Sequence, residues 1–508
     1  RRRGGTPGSS SSRRRQPTVA CGPPRLRPGL LLVASMQSQC HAVFMNLSAT
    51  GHLNPTLPLV AELRARGCEV TYFVDDALRS VVEAAGANWL PFRGAREAGG
   101  DLPRTLPAAG VAKYVPEGTP EREYRDMPSS LLYVAELVLP ALLEDLRALR
   151  PRPSVIVHDP FLAFGPVAGH VLGVPAVTTL TMPGPGVIAR PAEVTDAWES
   201  KPWVDGPRRE ILARYGFDVL RSGMQMECYS PELNLVTTIE ELYVPPRPGR
   251  QEERYGGFPF KCIGILADPA VKRVSNVNVK QDEELDLQEL DAARAAGRRV
   301  LYISLGTVAS SDVFWAKPFG DHGLGNGLEN ATGKELTQHV FRACFEAFAD
   351  QRAQATLVVL AVGPQEDALE GLPAAPPNFR LRRAVPQLEV LGRCSAFVTH
   401  GGANSMHEGL SLGVPMAVVP LFGDQPPNAD SLARCGAAIA FRRPLDSVTP
   451  AALAAALGRL MEPGCEGNPF RAAARRMGER LRAAKGAPAA VDALLRVCSS
   501  GRAALAGA

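Results

Sequence analysis

Short apolar runs alternate with amphipathic segments along most of the chain. Residues 41–48 and 69–74 are apolar runs of strand length, and residues 55–66 between them carry apolar side chains at the three- and four-residue spacing of a helix. Residues 49–54, between the first strand and the helix, are predicted to form a loop. Strands that alternate with helices in this way pair in parallel, so the pattern predicts an α/β fold.

The same alternation continues in two blocks. In the first block the pattern predicts strands at residues 88–92, 154–158, 176–180, 233–238 and 262–266, and helices at residues 78–85, 129–149 and 161–172. In the second it predicts strands at residues 300–306, 356–362, 379–385, 396–399 and 416–421, and helices at residues 335–348 and 400–412. A polar insert of residues 310–333 interrupts the second block, and its glycines at 323, 325 and 327 predict a flexible loop.

The two blocks predict two doubly wound, Rossmann-like domains that face a cleft. The predicted divisions are a leader of residues 1–38, a first domain of residues 39–267, a linker of residues 268–298, a second domain of residues 299–466 and C-terminal helices at residues 467–500. Ligands of open parallel sheets bind beyond the carboxyl ends of strands. We therefore expect the chemistry in the loops that follow Ser48, His158, Ser304 and Thr399.

The distribution of charge along the chain argues against a nucleic-acid-binding protein. The 508 residues carry a formal net charge of +4, but residues 1–35 hold eight Arg and no acidic residue, and subtracting those eight charges leaves −4 for the remainder. Nucleic-acid-binding proteins concentrate positive charge on a folded surface, so we expect no nucleic-acid partner. The segment before Met36 is open to two interpretations. It is either translated leader sequence or the end of a fragment, or it is an organellar transit peptide.

Ten cysteines are scattered through the chain without a CxxC pair, which argues against a zinc ribbon and a disulfide framework. We therefore expect reduced thiols in an intracellular protein. The longest apolar stretches, such as residues 357–362, are far shorter than the ~18 residues that span a bilayer. We expect a soluble, monomeric, cytoplasmic protein without a transmembrane segment, located in a plastid or mitochondrion only if the leader is a transit peptide.

The motif HGGANSMHE at residues 400–408 follows a predicted strand and opens a helix. Gly401 and Gly402 allow close approach to the backbone, and the helix N-terminus offers free N–H groups and a positive dipole. Three side chains add hydrogen-bond donors without a lysine: His400, Asn404 and Ser405. These features are typical of a diphosphate site, and a plain turn with an Asn N-cap is the structural alternative.

Three further polar side chains follow in chain order. Glu408 lies one helical turn after Asn404 on the same face, where a carboxylate accepts hydrogen bonds from neighbouring hydroxyls such as those of a ribose. Asp424 and Gln425 come sixteen residues later, after the predicted strand at 416–421. An acid beside an amide accepts from and donates to several hydroxyls, so this pair suits a sugar.

These motifs closely resemble the donor-binding signature of the family 1 glycosyltransferases, the UDP-glycosyltransferase superfamily, whose GT-B fold has two Rossmann-like domains. The similarity includes VPQ at 385–387, GVP at 413–415 and DQPPNA at 424–429, and the spacing from Gln387 to His400 is that of the bacterial macrolide-type branch. GHLNP at 51–55 and SLGT at 304–307 also fit, so the resemblance covers about residues 40–497. In this family the last helix often returns to the first domain, as residues 488–497 would do here.

The resemblance implies a role for each donor-site residue. Gln387 and Glu408 would bind the ribose, and Asp424 and Gln425 the transferred sugar. His400, Asn404 and Ser405 would bind the diphosphate, with Ser304, Gly306, Gly402 and Val385 completing the donor site. The family places a Trp on the uracil three residues before the Gln, but this chain has Ala384 there. Its absence removes a stacking contact of ~1–3 kcal/mol and weakens the expectation of a UDP donor.

Transfer to a hydroxyl needs a base that removes the hydroxyl proton. His52 matches the base of this family, and Asp159, after the predicted strand at 154–158, matches its partner carboxylate. No covalent intermediate is implied, so we expect inversion at the anomeric carbon. The chain has no Asp-x-Asp pair, the usual metal ligand of the other major glycosyltransferase fold, so we expect no metal and no cofactor besides the UDP-sugar co-substrate. His158 and His407 are expected to be structural or incidental.

We therefore expect a hexosyltransferase that moves a hexose from a UDP-sugar, such as UDP-glucose, to a hydroxyl of a lipophilic small molecule. The acceptor pocket would be built from residues 94–127 and 183–226, whose large apolar side chains suit either a ligand or a plain core: Tyr114, Tyr124, Trp198, Trp203, Met224 and Met226. Two alternatives stay open. A non-catalytic nucleotide-sugar-binding protein would tolerate loss of His52, and a same-fold epimerase or hydrolase would need a different acid–base set.

Overall fold

The computed structural model describes residues 40–97, 112–124, 127–187, 192–221, 223–224, 227–266, 285–307, 309–320, 325–349, 355–462 and 467–506. The predicted leader lies outside these ranges. None of the helices in the described ranges is both long enough and apolar enough to span a membrane.

The strands in chain order are β1 (His41–Met45), β2 (Glu69–Phe73), β3 (Asn88–Leu90), β4 (Val155–His158), β5 (Ala176–Leu180), β6 (Gly223–Met224), β7 (Glu227–Cys228), β8 (Asn234–Val236), β9 (Phe260–Cys262), β10 (Arg299–Ser304), β11 (Thr356–Ala361), β12 (Phe379–Arg382), β13 (Ala396–Thr399), β14 (Met416–Val418) and β15 (Ala438–Ala440). Most lie where the apolar runs predict them, and most are a few residues shorter.

The helices in chain order are α1 (Thr50–Leu53), α2 (Leu57–Ala65), α3 (Arg79–Ala84), α4 (Arg93–Glu97), α5 (Glu121–Tyr124), α6 (Met127–Ala148), α7 (Phe164–Leu172), α8 (Ala192–Glu199), α9 (Pro202–Tyr215), α10 (Arg250–Tyr255), α11 (Leu287–Ala295), α12 (Asp312–Trp315), α13 (Gly333–Ala347), α14 (Gln387–Leu391), α15 (Ala403–Ser411), α16 (Gln425–Arg434), α17 (Pro444–Ser447), α18 (Pro450–Leu460), α19 (Pro469–Ala483) and α20 (Ala487–Ala506). Short 3₁₀ turns lie at Asn54–Thr56, Asp76–Leu78 and Ala112–Tyr114.

Two parallel sheets organise these elements. The first has the strand order β3-β2-β1-β4-β5-β8-β9 and the second β12-β11-β10-β13-β14-β15. The direction of winding reverses between β1 and β4 in the first sheet and between β10 and β13 in the second. The predicted fold class, two doubly wound α/β domains, is confirmed, and ligands of such sheets bind at these reversals.

Strand β1, at the centre of the first sheet, is buried on both faces because helices cover both faces. Along β1, Val43 and Met45 pack into the core that includes α6 and α7. Ala42 and Phe44 point to the other face, where they share a core with Leu57 of α2. The alternation of side-chain direction along a strand thus builds two cores from one apolar run.

The C-terminal helix α20 packs against the first domain. Val491 and Leu494 are fully buried in the same core as Phe44, and Arg66 after α2 pairs with Asp492 at 2.5 Å. The chain therefore returns from the second domain to the first.

Two local predictions are wrong. Residues 49–54 form helix α1 and the start of a 3₁₀ turn rather than a loop, because Leu53 and the turn's Thr56 are buried and the Thr56 hydroxyl donates to the carbonyl of Leu53 at 2.8 Å. The strand predicted at 262–266 is instead β9, which ends at Cys262, because Gly264 has a φ of +81° that an extended strand does not allow.

The predicted division into domains stays a prediction, but part of the predicted linker is folded. Within residues 268–298, helix α11 begins after an N-cap by Asp286 and buries Leu290 and Ala293 in the core of the second domain. Residues 267–284 lie outside the described ranges.

Candidate active site

The segments that follow β1, β4, β10 and β13 meet at the two winding reversals. His52 on α1 and Asp159 after β4 lie at the first reversal, and Ser304 at the end of β10 and His400 after β13 lie at the second. The two halves touch, because Asn404 Nδ2 on α15 donates a 2.8 Å hydrogen bond to the carbonyl oxygen of Gly51 on α1.

His52 and Asp159 form a hydrogen-bonded pair. His52 Nδ1 lies 2.6 Å from Asp159 Oδ2, and the other carboxylate oxygen accepts a 2.9 Å bond from the backbone N–H of Phe161. The Asp159 side chain is 1% exposed and that of His52 is 20% exposed. An Nδ1–H donated to Asp159 leaves Nε2 of His52 as the ring nitrogen with a free lone pair, which a general base requires.

The surroundings of His52 set its charge. Burial lowers the pKa of its imidazole, but the negative charge and hydrogen bond of Asp159, with a further contribution from Asp424, outweigh burial and raise the pKa above its ordinary value. Phe161 packs beside the ring, with centroids 5.1 Å apart. The imidazolium that forms after proton abstraction is thus stabilised by two carboxylates.

His400 lies between two glycines. A Cβ atom at Gly306 would lie 2.5 Å from His400 Cε1, and one at Gly402 would lie 2.5 Å from His400 Nε2, so neither position admits a side chain without displacing the ring. Burial lowers the pKa of His400 to about 4, against the opposing effect of the Ser304 backbone, so the ring is neutral at pH 7. Its Nδ1 is buried and has no hydrogen-bond partner among the residues that the structure describes.

The N-terminus of α15 faces this ring, and Asp424 is attached to it. Asp424 Oδ2 accepts a 3.0 Å bond from the Ala403 N–H and a 2.9 Å bond from Asn428 Nδ2. Burial raises the pKa of Asp424, while these two donors and the nearby His52 act in the opposite direction. Asn428 also donates to the carbonyl of Gly401 at 2.8 Å, so it fixes Asp424 to the glycine turn.

The predicted ribose pair is assembled. Gln387 Nε2 donates to Glu408 Oε2 at 2.6 Å and to Ser405 Oγ at 3.3 Å, and the Tyr302 hydroxyl donates to Gln387 Oε1 at 3.1 Å. Glu408 is 2% exposed. Of these residues, Glu408 lines a small cavity that Asn404 and Pro55 also line.

The remaining residues predicted to bind the nucleotide sugar make contacts mainly within their own loops. Gln425 is buried, and its Oε1 accepts a 2.8 Å bond from the Leu421 N–H, so its carbonyl oxygen holds its own loop and leaves the amide nitrogen for a ligand. Ser304 Oγ accepts a 3.4 Å bond from the Gly306 N–H. Val385 is half-buried in the segment between β12 and α14, next to Ala384.

Two residues of the site escape sequence reasoning. Tyr302 lies in a predicted apolar strand, and only the folded structure shows that its hydroxyl reaches Gln387. Asn428 belongs to the DQPPNA motif, but no sequence pattern shows that one amide contacts both Gly401 and Asp424.

His158 and His407, which the sequence predicts to be structural or incidental, both have structural contacts. His158 lies within the first sheet, with Nδ1 3.0 Å from the Asp159 carbonyl and Nε2 3.3 Å from Thr178 Oγ1. His407 is buried between the domains, with Nε2 2.9 Å from Thr238 Oγ1, so it joins the two domains rather than being incidental.

The large aromatic residues of the first domain belong to its core. Trp198 and Trp203 are 9% and 3% exposed and pack with the α6 core, and Tyr114 is half-buried with its hydroxyl donating to Glu136 at 2.8 Å. These side chains were open to two interpretations, a ligand pocket or a plain core, and the burial and contacts of these three residues favour the core. Met226 lies outside the described ranges.

Within the part of the chain that the structure describes, no group of three or more His, Cys, Asp or Glu side chains is placed to hold a metal ion. Six cysteines of the described ranges are free thiols: Cys68, Cys228, Cys262, Cys344, Cys394 and Cys435.

Known proteins are similar to this chain in sequence and in fold. The family described as UDP-glucoronosyl and UDP-glucosyl transferase matches residues 372–465, which contain the site residues from Gln387 to Gln425. The NDP-glycosyltransferase YjiC of Bacillus licheniformis is 26% identical over 392 residues, which cover 76% of this chain and 81% of that protein. The oleandomycin glycosyltransferase of Streptomyces antibioticus is 25% identical over 414 residues, 80% of each chain.

A crystal structure of the kitacinnamycin glycosyltransferase superimposes with a TM-score of 0.62 at 24% identity and covers 90% of this chain and 98% of that chain. The two parallel-sheet domains match the GT-B fold of that glycosyltransferase. The names of the relatives support a glycosyltransferase enzyme. The chain is similar to the UDP-glycosyltransferase family over residues 372–465 and to bacterial glycosyltransferases over most of its length.

Proposed function

We propose that the protein transfers a hexose from a UDP-sugar to a hydroxyl group of a lipophilic small molecule, with inversion at the anomeric carbon and without a metal ion. The observation that carries the proposal is the His52–Asp159 pair at 2.6 Å, in contact through Gly51 and Asn404 with a helix N-terminus suited to a diphosphate.

In the proposed reaction, His52 Nε2 removes the acceptor hydroxyl proton as the acceptor oxygen attacks the anomeric carbon. The bond between that carbon and the diphosphate oxygen breaks, and UDP leaves with the electron pair. Asp159 keeps Nδ1 protonated, so that only Nε2 accepts the proton, and it stabilises the resulting imidazolium. Because a single displacement forms no covalent enzyme intermediate, the sugar configuration inverts.

The charge that develops on the leaving diphosphate is met by neutral donors. His400 contributes a neutral imidazole, because burial lowers its pKa to about 4. The start of α15 adds a positive dipole. The Ala403 N–H donates to Asp424 and one hydrogen of Asn404 Nδ2 is donated to Gly51, so the second hydrogen of Asn404 Nδ2 and the other N–H groups of the first turn would serve the diphosphate. This set of donors supports a reaction in which no metal ion neutralises the diphosphate.

The identities of donor and acceptor rest on different evidence. The name of the matching family includes UDP, and Gln387 bonded to Glu408 suits a ribose with two free hydroxyls, whereas Ala384 offers no ring to a base. The relative from Streptomyces antibioticus is named for oleandomycin, which favours a small-molecule acceptor here.

The test begins with calorimetric titration of residues 36–508 by UDP, TDP and GDP, followed by UDP-glucose, all without added metal. We expect UDP to bind most tightly and UDP-glucose to support transfer to lipophilic alcohols, with NMR showing the inverted configuration in the product. Tighter binding of TDP or GDP would contradict the UDP assignment, and retained configuration would contradict the single displacement.

A further inference from the structure

The described residues of the polar insert, 310–320 and 325–333, pack onto the second domain, and Gly323 of the predicted flexible loop lies outside the described ranges. The Phe319 N–H donates to the Ala331 carbonyl and the Gly320 N–H donates to the Glu329 carbonyl, both at 2.9 Å, so the two ends of the insert pair with each other. Leu328 is fully buried. The insert therefore has a defined position next to the end of β14.

Asn326 joins the insert to the chain segment that leads to Asp424. It is 5% exposed, and its Nδ2 donates to the carbonyl oxygens of Pro420 at 3.2 Å and Leu421 at 2.9 Å. The glycines on either side, Gly325 and Gly327, have φ values of +86° and +68°, which other residues adopt only with strain. The backbone is thus bent on both sides of Asn326, where the side chain meets two carbonyls.

A second contact joins the same two segments through aromatic rings. Phe314 and Phe319 of the insert lie 5.0 Å and 5.5 Å from Phe422, centroid to centroid, and 5.4 Å from each other. Phe422 is two residues before Asp424. We name residues 420–425 the sugar loop, because it ends in the two side chains proposed to bind the transferred sugar.

The sugar loop is also closed on itself. Gln425 Oε1 accepts a bond from the Leu421 N–H at 2.8 Å, and the Gln425 N–H donates to the Phe422 carbonyl at 3.2 Å. Leu421 therefore receives a donor from Asn326 at its carbonyl and gives its own N–H to Gln425. The insert, the sugar loop and the sugar-binding side chains form one continuous set of contacts.

We propose that Asn326 is a positioning residue that holds the sugar loop so that Asp424 and Gln425 meet the hydroxyl groups of the transferred sugar. The inference rests on the proposed function, which assigns the transferred sugar to Asp424 and the nucleotide to Gln387 and Glu408. Without the amide of Asn326, two buried carbonyls lose their donor and the loop shifts to reach water. The nucleotide is held elsewhere, by Gln387 and Glu408, so the effect is confined to the sugar.

The test compares the affinity for a nucleoside diphosphate with that for the corresponding nucleotide sugar. Calorimetry gives the dissociation constants of UDP and UDP-glucose, and in parallel of TDP and TDP-glucose, so that the test does not depend on the base. The variants are Asn326→Ala, the isosteric Asn326→Asp, which removes the donor, and Asn330→Ala, an exposed position in the same insert, as the matched control.

We expect both Asn326 variants to leave the nucleoside diphosphate affinity within about twofold and to weaken the nucleotide sugar about tenfold, while Asn330→Ala changes neither. The Asp424→Asn variant separates this inference from the proposed function. If Asp424→Asn weakens only the nucleotide sugar and the Asn326 variants do not, the inference is wrong and the assignment of Asp424 stands.

The other outcomes are equally decisive. If the Asn326 variants weaken the nucleotide sugar selectively and Asp424→Asn does not, the inference stands and the assignment of Asp424 fails. Equal weakening of nucleoside diphosphate and nucleotide sugar by the Asn326 variants would show a general structural role and overturn the inference. Melting temperatures of all variants identify any that are unfolded, and Asn326→Asp replaces Asn326→Ala in that case because it conserves side-chain volume.

Discussion

His52 Nδ1 lies 2.6 Å from Asp159 Oδ2, although 107 residues separate the two positions in the chain. The pair forms because β1 and β4 are neighbours at the winding reversal of the first sheet, so that the segments following them meet. The number of residues between His52 and Asp159 does not determine the distance between their side chains. The order of the strands in the sheet brings them together.

The Asp159→Asn variant tests what the carboxylate does for His52. Because the charge of Asp159 raises the pKa of His52, we expect the rise of kcat/KM with pH to shift to lower pH in the variant. The rate at the plateau falls about 10²–10⁴-fold, since the imidazolium loses its counterion. The pH dependence of kcat/KM measures both effects. Asp291→Asn, at an exposed carboxylate in α11, is the matched control, and an unshifted profile for Asp159→Asn would contradict the role of this residue.

The Glu408→Gln variant tests the ribose assignment. Gln387 Nε2 donates to Glu408 Oε2 at 2.6 Å, and a carboxylate in this position accepts bonds from ribose hydroxyls more strongly than an amide does. We expect UDP to bind about tenfold more weakly to the variant, and the preference for UDP over its 2′-deoxy analogue to narrow. Calorimetry with the two nucleotides measures both. A preference that is the same in the wild type and the variant would place the ribose elsewhere.

Chelation tests the role proposed for the neutral donors. We expect the initial rate to be unchanged after treatment with EDTA, and unchanged again when Mg²⁺ or Mn²⁺ is restored, since the helix N-terminus and His400 meet the diphosphate charge. Loss of activity with EDTA and its recovery with either cation would contradict metal independence.

A buried acid outside the site makes stability depend on pH. Glu227 is 3% exposed, and the Tyr229 hydroxyl donates to its Oε1 at 2.6 Å; burial, opposed by that hydrogen bond, raises its pKa to about 8. The folded chain thus keeps a proton that the unfolded chain loses near pH 4.5. The contribution of this group to the free energy of unfolding is highest below pH 4.5 and falls by about 1.4 kcal/mol per pH unit until about pH 8, where it levels off.

Denaturant titrations of the wild type and of Glu227→Gln over that pH range measure this contribution. We expect the difference in free energy of unfolding between the two proteins to move in favour of the variant as the pH rises. The exposed Glu144 provides a control, because Glu144→Gln changes no buried charge. A difference that is constant with pH would show that Glu227 titrates normally in the folded protein.

The sequence predicts the fold closely because apolar runs and glycine turns depend on interactions between residues that are near in the chain. Strands β5 and β13 have the predicted limits, since each is a fully buried run of four or five residues bounded by polar or turn residues. The wrong predictions arise where tertiary contacts decide. Residues 49–54 have the composition of a loop, and become helical through the burial of Leu53.

Only part of the site can be predicted from the sequence. His400, Asn404, Glu408 and Asp424 lie in one contiguous segment whose spacing carries the diphosphate and sugar signal. Contacts between distant segments carry no such signal. Tyr302 and Gln387 are 85 residues apart, and Asn326 and Leu421 are 95 apart, so only the folded structure shows that they touch.

The measurement that tests the central claim most directly compares the wild type with His52→Ala for both transfer and donor binding. We expect the rate of sugar transfer to fall at least 10²-fold, because the acceptor hydroxyl loses its base, while the dissociation constant for UDP stays within about twofold. His170→Ala, at an exposed histidine of the same domain, is expected to match the wild type in both. Unchanged transfer by His52→Ala would contradict the assignment of His52 as the base and, with it, the proposed mechanism.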